Sequence, residues 1–318
     1  MTEQDILNTI NDACVVGKVR FPSKINFSIC GTKLNIEIKN EAVFNNMQTD
    51  SSSFEGWAIC LKAWLPDTIK EVELVWDIPN EKEDESNKWL HYHRFLYRAL
   101  RFDEFYDWFS VSTTNQLELE NFKKKLVGLQ NNCFSRKPLL KGNQKNRLSE
   151  TIIEYYLAND FSKQLRDCLD LDFIDRQFPV GVKKDGRPFF TGGMSAIDLW
   201  GTKDNKLTII ELKYNGTESS NIKVGIISEL FMYSCIMRDI LKGVISTPNR
   251  SPNDNEMQFY ENSKKHQYTH IEARMLSDRY HPLLSNSNVI DVMNYQKPGV
   301  EDVKITYYKN AYKLFNIE

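Results

Sequence analysis

The sequence lacks the long apolar segments and the nucleotide-binding loop that define several large classes of protein. No run among its 318 residues approaches the roughly 20 apolar residues that a membrane-spanning helix needs, and the polar start MTEQDILNTIND lacks the basic and then apolar order of a signal peptide. It contains no G-x-x-x-x-G-K-[ST] motif, so we do not expect ATP-driven translocation. These absences favour a cytoplasmic protein that makes no membrane contact.

The sequence also lacks closely spaced cysteines, and its net charge is small. The six cysteines stand far apart without any C-x-x-C pair, so their spacing indicates neither a zinc cluster nor a disulfide framework. We expect reduced and mostly buried thiols. The 43 acidic and 41 basic residues give a net charge of −2, and the length of the chain predicts two domains that each bury a core.

The small net charge conceals an uneven distribution along the chain. Residues 1–120 hold 20 acidic and 12 basic side chains, whereas residues 121–318 hold 23 and 29. Most of the shift comes from residues 121–149, with eight basic side chains and no acidic one. Such a stretch attracts phosphate groups, although a solvated linker is the alternative interpretation. Its basic residues are Lys123, Lys124, Lys125, Arg136, Lys137, Lys141, Lys145 and Arg147.

Hydrophobic patterns predict a small α+β domain over residues 1–120. A short helix is followed by alternating segments typical of an antiparallel sheet, and then by a helix rich in aromatic residues. The predicted elements are a helix over 3–13, strands over 24–30, 34–38, 57–63 and 71–78, and a helix over 88–109. Because this domain is acidic and therefore suits DNA poorly, we expect a protein-interaction or regulatory module, with a specificity domain as the alternative. A basic linker follows over residues 121–147.

The remaining chain predicts an α/β domain over residues 148–318. Its elements have the order α-β-β-β-α-β, with a helix over 148–160, strands over 173–182, 194–201 and 207–214, a helix over 222–241 and a strand over 269–276. A segment rich in proline, asparagine and serine between residues 243 and 267 predicts a surface loop. The tail over residues 303–315 predicts one more hairpin.

A predicted strand hairpin in this domain places charged side chains inside an apolar sheet. Alternation puts Glu211 and Lys213 on one face of the second strand. Their burial costs free energy unless both are used or paired. If Asp204 and Asn205 form a two-residue turn, the register brings Asp198 opposite Glu211, with Cβ atoms about 5 Å apart. Two like charges at that distance require a positive charge between them.

A divalent cation would supply that positive charge. Oxygens from Asp198 and Glu211 and the backbone carbonyl of Leu212 are hard ligands that suit Mg²⁺. A third carboxylate can come from Glu150 or Glu154 on the preceding helix, and we favour Glu150 because it lies nearer the basic stretch and the helix N-terminus. In the alternative interpretations, both glutamates are ordinary surface residues, or the strand lysine forms a structural ion pair with one of the strand acids.

These residues resemble the motif of the PD-(D/E)XK nuclease superfamily. The pattern D-x12-E-x-K at Asp198, Glu211 and Lys213 lies on a hairpin, after a helix that carries Glu150 and before an amphipathic helix. The upstream run RQFPVG at residues 176–181 is similar to the branch that contains prokaryotic repair and defence endonucleases. The resemblance covers under a third of the chain.

The resemblance implies a restriction-endonuclease-like mixed sheet flanked by helices and a Mg²⁺-dependent deoxyribonuclease, in which Mn²⁺ can substitute. Asp198, Glu211 and Glu150 would hold one or two ions together with the Leu212 carbonyl. Lys213 would orient the attacking water and stabilise the transition state. The residues expected to contact DNA are Arg176, Gln177, Lys141, Lys145 and Arg147.

The chain departs from the family pattern at two positions. Ile197 stands where the proline of the motif is found, and Glu229 precedes aromatic residues where relatives often place glutamine. An extra acid there would repel phosphate unless it is paired. The alternative function is a catalytically inactive nuclease fold that binds nucleic acid or a partner protein. Two chains could also combine as a homodimer to cut both strands.

Overall fold

A computed structural model describes most of the chain. The described residues are 1–81, 83–84, 86–133, 149–190, 195–215, 223–248, 251, 253–299, 302–313 and 316–317. The chain forms two compact units: the first comprises Met1–Val127, Ile222–Glu229 and Tyr280–Val300, and the second comprises Gly128–Asn221, Leu230–Arg279 and Glu301–Glu318. Two late segments from the predicted domain over residues 148–318 thus belong to the first unit. None of the described helices combines the length and the apolar character needed to span a bilayer.

Both units combine helices with strands, so the chain is a mixed α/β protein, as predicted. In chain order the elements are α1 (Glu3–Ala13), β1 (Ile25–Cys30), β2 (Lys33–Ile38), α2 (Phe54–Trp64), β3 (Glu71–Trp76), α3 (Asn87–Phe105), β4 (Phe109–Val111), α4 (Thr113–Lys125), β5 (Leu129–Asn132), α5 (Glu150–Ala158), α6 (Ser162–Leu169), β6 (Phe173–Pro179), β7 (Gly181–Lys184), β8 (Arg187–Pro188), β9 (Ala196–Lys203), β10 (Lys206–Lys213), α7 (Gly225–Leu241), α8 (Asp254–Lys264), β11 (His270–Ser277), α9 (Asn288–Asn294), β12 (Lys304–Lys313) and β13 (Asn316–Ile317). Three of the six cysteines are buried, namely Cys14, Cys60 and Cys235.

The first unit is built on a four-stranded sheet with the order β1-β2-β3-β4. β1 and β2 form the predicted hairpin around Gly31, whose φ of +60° suits glycine. β2, β3 and β4 are parallel, so the prediction of an antiparallel sheet is wrong beyond the hairpin. The predicted strand over residues 57–63 is also wrong, because this segment lies in α2. Nearly all of α2 is buried, so an alternating pattern cannot distinguish it from a strand.

A buried ion pair joins α2 to α3 in this unit. Arg98 Nη1 donates to Glu55 Oε2 at 2.8 Å, and Ser228 Oγ donates to the same oxygen at 2.7 Å. Burial lowers the pKa of Arg98 to about 10 and raises the pKa of Glu55. The guanidinium also lies 5.3 Å from the ring centre of Phe54. The aromatic residues of α3 are buried, and the ring centre of Phe95 lies 5.9 Å from the same guanidinium.

The described part of the basic stretch begins at the end of α4. Lys123 Nζ lies 3.2 Å from a Glu104 oxygen, and Lys125 Nζ lies 2.7 Å from a Glu83 oxygen. Cations also suit this position because of the helix dipole. The first residues of the predicted linker therefore form the end of α4 and strand β5. The predicted DNA contacts Lys141, Lys145 and Arg147 lie outside the described residues.

The second unit is built on a six-stranded sheet with the order β13-β12-β11-β10-β9-β6. β6, β9 and β10 are antiparallel neighbours, whereas β10, β11 and β12 are parallel. A smaller sheet contains β5, β7 and β8. Helices α5 and α6 pack on the large sheet through an apolar cluster that includes Ile153, Leu165, Ile210 and Leu212. The predicted helix over residues 148–160 and the predicted hairpin strands are therefore present, with α6 and β8 as additions. The predicted strand over residues 173–182 is divided between β6 and β7, which lie in different sheets.

The predicted surface loop, the segment STPNRSPNDNE at residues 246–256, is wrong at its last three residues, which begin α8. The side chain of Asn253 caps this helix by accepting hydrogen bonds from the backbone N–H groups of residues 255 and 256. Phe259 and Tyr260 are buried residues of this helix. Asparagine and serine residues are typical of loops, but Asn253 serves here as the helix cap. The predicted tail hairpin is reduced to the short pairing of β12 with β13, because most of β12 runs parallel to β11.

Gly201 of β9 lies where two strands approach too closely for a side chain. A Cβ atom there would lie 2.4 Å from the carbonyl oxygen of Phe173 on β6. We predict that Gly201→Ala lowers the free energy of unfolding by about 1–3 kcal/mol, because β6 must shift. Urea unfolding measures the change. Gly181→Ala on β7 is the matched control, since the atom nearest to an added Cβ lies at 3.6 Å; equal losses in both variants would contradict the prediction.

Candidate metal centre

The hairpin of β9 and β10 has the predicted register. Lys203 pairs with Lys206 across a two-residue turn, in which Asp204 adopts a φ of +50°. Such turns require a positive φ, which aspartate tolerates. The same register brings Asp198 opposite Glu211, so the two strand acids lie where the sequence predicted them.

Backbone pairing between β9 and β10 ends just before these acids. The last paired residues are Leu199 and Ile210. At the next position the side chain of Asp198 serves as the acceptor, because its Oδ2 lies 2.8 Å from the backbone nitrogen of Leu212, which donates to it. This hydrogen bond fixes the carboxylate at the end of the ladder.

Three carboxylates meet at this point. Glu150 is the first residue of α5, and one oxygen from each of Glu150, Asp198 and Glu211 lies within 4.8 Å of the others. Glu211 is buried and the other two are half-buried. Lys213 Nζ lies 2.5 Å from Glu211 Oε1 and 3.5 Å from Glu150 Oε1. The lysine therefore balances part of the negative charge of this carboxylate cluster.

Glu154, the other glutamate considered from the sequence, makes different contacts. Only 2% of it is exposed, and its carboxylate accepts hydrogen bonds from Arg176 Nη1 at 3.0 Å and from Gln177 Nε2 at 2.7 Å. Burial raises the pKa of Glu154, while Gln177 and Arg176 oppose that rise. Glu150 is thus the helix residue grouped with the two strand acids. Arg176 and Gln177, which we expected to contact DNA, are held by an internal carboxylate.

The carboxylate cluster has the chemistry of a site for a hard divalent cation. Carboxylate oxygens are the ligands that Mg²⁺ and Mn²⁺ prefer, and these three lie close enough to share one ion. A structural ion pair would also place the Lys213 ammonium beside Glu211. Thermal stability with and without metal distinguishes the two interpretations.

The end of β10 is held by contacts from distant parts of the chain. Tyr312 Oη donates to the carbonyl oxygen of Lys213 at 3.1 Å. Two residues further on, Asn215 donates through its side chain to Ser277 Oγ at 3.2 Å and through its backbone nitrogen to Asp278 Oδ1 at 2.8 Å. These supporting residues could not be predicted from the sequence, because partners 62 to 99 positions apart leave no local pattern.

Glu229, the acid that departs from the family pattern, has a partner of its own. It is buried in the first unit, and its Oε1 accepts a hydrogen bond from Gln48 Nε2 at 2.5 Å. This contact could not be predicted from a local pattern, since Gln48 lies 181 positions away.

Comparison with known proteins identifies neither a family nor a function for the chain. No protein-family model, no curated protein and no solved structure matches the chain. Function must therefore be inferred from the residues of the site and their geometry.

The carboxylate cluster predicts that a divalent ion stabilises the folded chain. Mn²⁺ at 100 times its dissociation constant should raise the free energy of unfolding by about 2.7 kcal/mol relative to EDTA, because the folded state alone holds the three carboxylates together. Differential scanning fluorimetry measures the corresponding rise in Tm. Asp198→Asn should remove most of it, and Asp167→Asn, at an exposed position of α6, should retain it. The same Tm in Mn²⁺ and EDTA would favour the structural ion pair.

Proposed function

We propose that the chain is a metal-dependent endonuclease that hydrolyses phosphodiester bonds in DNA, with a role in phage defence, restriction or repair. The observation that carries this proposal is the grouping of Glu150, Asp198 and Glu211 within 4.8 Å, with Lys213 beside them. The acids come from a helix and from both strands of a hairpin, as the resemblance to the PD-(D/E)XK superfamily implies. A restriction-endonuclease-like arrangement of the second unit is part of the proposal, and its mixed sheet supports it.

Each residue of the carboxylate cluster has a proposed role. Glu150, Asp198 and Glu211 would hold Mg²⁺, or Mn²⁺ in its place, together with the carbonyl of Leu212. The bound ion would lower the pKa of a coordinated water and neutralise charge on the phosphoryl oxygens. Lys213 would stabilise the negative charge that develops on the phosphate. We assign it this electrostatic role because its ammonium already lies 2.5 Å from a cluster oxygen.

The charge distribution supports DNA as the substrate. Residues 121–318 carry 29 basic and 23 acidic side chains, and a bound cation would add positive charge at the site. The basic stretch around residues 136–147 would contact phosphates, so binding should weaken as salt increases. The acidic first unit would bind a partner protein or a second copy of the chain, which would allow both strands to be cut. A cytoplasmic location remains an expectation from the sequence.

A catalytically inactive protein that binds nucleic acid or a partner through the same fold is the second candidate. The short contact between Lys213 and Glu211 favours it, since a purely structural ion pair would have the same geometry. The two candidates differ in whether the loss of Asp198 abolishes a chemical activity.

The proposed function predicts that the purified protein cleaves DNA in Mg²⁺ or Mn²⁺ and not in EDTA. Asp198→Ala and Lys213→Ala should each lower the cleavage rate by about 10²–10³-fold, because each removes a group that stabilises transition-state charge directly or through the ion. Gel assays with linear, circular, single-stranded and branched DNA measure the rates and identify the preferred substrate.

Two substitutions outside the cluster provide matched controls for this assay. Asp167 lies on α6 and Lys183 on β7, so Asp167→Ala and Lys183→Ala should cleave at the wild-type rate. Equal rates in the wild type and in both cluster variants would refute the nuclease assignment.

A further inference from the structure

Strand β6 contains a backbone distortion beside the carboxylate cluster. Gln177 adopts a φ of +59°, in the left-handed region that residues other than glycine rarely occupy. Its neighbours Arg176 and Phe178 both pair with β9, whereas Gln177 forms no pair in this register. The positions on either side place Gln177 opposite Asp198.

The regular ladder is thus interrupted on both sides of Asp198. Toward β10 it ends at Leu199 and Ile210, and toward β6 it is broken at Gln177. A left-handed glutamine costs free energy and persists only where its surroundings fix it. The contacts of its side chain show what fixes it.

The side chain of Gln177 connects β6 to α5. Its Nε2 donates to Glu154 Oε2 at 2.7 Å, while Arg176 Nη1 donates to Glu154 Oε1 at 3.0 Å. Glu154 lies one helical turn after Glu150, so the contact that fixes α5 against β6 also fixes Glu150. Asp175 supports the distorted strand, because its Oδ1 accepts a hydrogen bond from the backbone nitrogen of Arg176 at 2.8 Å.

We propose that Gln177 is a positioning residue for the carboxylate cluster. By holding Glu154 to β6 directly beside Asp198, it sets the separation between Asp198 and the helix carboxylate of Glu150. This inference rests on the cation site of the proposed function and not on its DNA cleavage, because the separation matters only if those carboxylates share a cation. Gln177 itself contacts neither the ion nor the substrate in this role, which differs from the DNA contact expected from the sequence.

Calorimetric titration of the full chain with Mn²⁺ tests this role. Gln177→Ala removes the amide and should weaken Mn²⁺ binding by about 10–100-fold, the range typical of residues that orient a ligand. Glu154→Gln changes the acceptor at nearly constant size and should also weaken binding. The variant with both substitutions should bind Mn²⁺ as tightly as whichever single variant has the lower affinity. The two losses do not add, because both substitutions remove the same contact. Gln130→Ala on β5 is the matched control and should bind as the wild type does.

DNA affinity in EDTA, measured by fluorescence anisotropy, separates positioning from other roles. The inference predicts equal affinity for the wild type and Gln177→Ala. Weaker DNA binding with unchanged Mn²⁺ affinity would assign Gln177 to DNA contact. A lower Tm with both affinities unchanged would make its role purely structural. Either result would overturn the inference.

The wild type separates this inference from the proposed function. If it binds Mn²⁺ more tightly than Gln177→Ala but cuts no DNA, the nuclease proposal fails and the positioning role stands. If it cuts DNA and Gln177→Ala binds Mn²⁺ equally tightly, the positioning role fails alone. A wild type that binds no Mn²⁺ would overturn both.

Discussion

The candidate site depends on one constraint, the repulsion between like charges that two strands and a helix bring together. Oxygens of Glu150, Asp198 and Glu211 lie within 4.8 Å of one another, where carboxylates repel unless positive charge or hydrogen-bond donors intervene. The ammonium of Lys213 and the backbone N–H of Leu212 provide part of the balance. A divalent ion shared by the three carboxylates would add positive charge to this balance.

The parts of the site that depend on local geometry could be predicted from the sequence. A two-residue turn and side-chain alternation gave the register that brings Asp198 to Glu211, and helix periodicity placed Glu150 and Glu154 one turn apart. Alternation failed for α2, because that helix is buried on nearly every side. The left-handed backbone of Gln177 could not be predicted, and its contact with Glu154, 23 positions away, leaves no periodic pattern.

Not every residue of the basic stretch is available to contact phosphate. Lys123 and Lys125 pair with Glu104 and Glu83 within the first unit, so this part of the basic stretch offsets the acidity of that unit. Exposed ion pairs add little stability, but they reduce the field that a phosphate would meet. If the chain binds DNA as proposed, fewer than the eight basic residues of this stretch would therefore be available for phosphate contacts.

The first unit is assembled from three separated parts of the chain. Trp64 Nε1 donates to the carbonyl oxygen of Leu283 at 2.7 Å, and Tyr106 Oη donates to that of Met293 at 2.8 Å. Both acceptors belong to the last part, and Ser228, which contacts the buried ion pair, belongs to the middle one. During synthesis these partners leave the ribosome long after the residues that need them, so this core is completed only after Met293 has emerged. A fragment cut near residue 127 would leave the Trp64 and Tyr106 donors without the acceptors that the full chain provides.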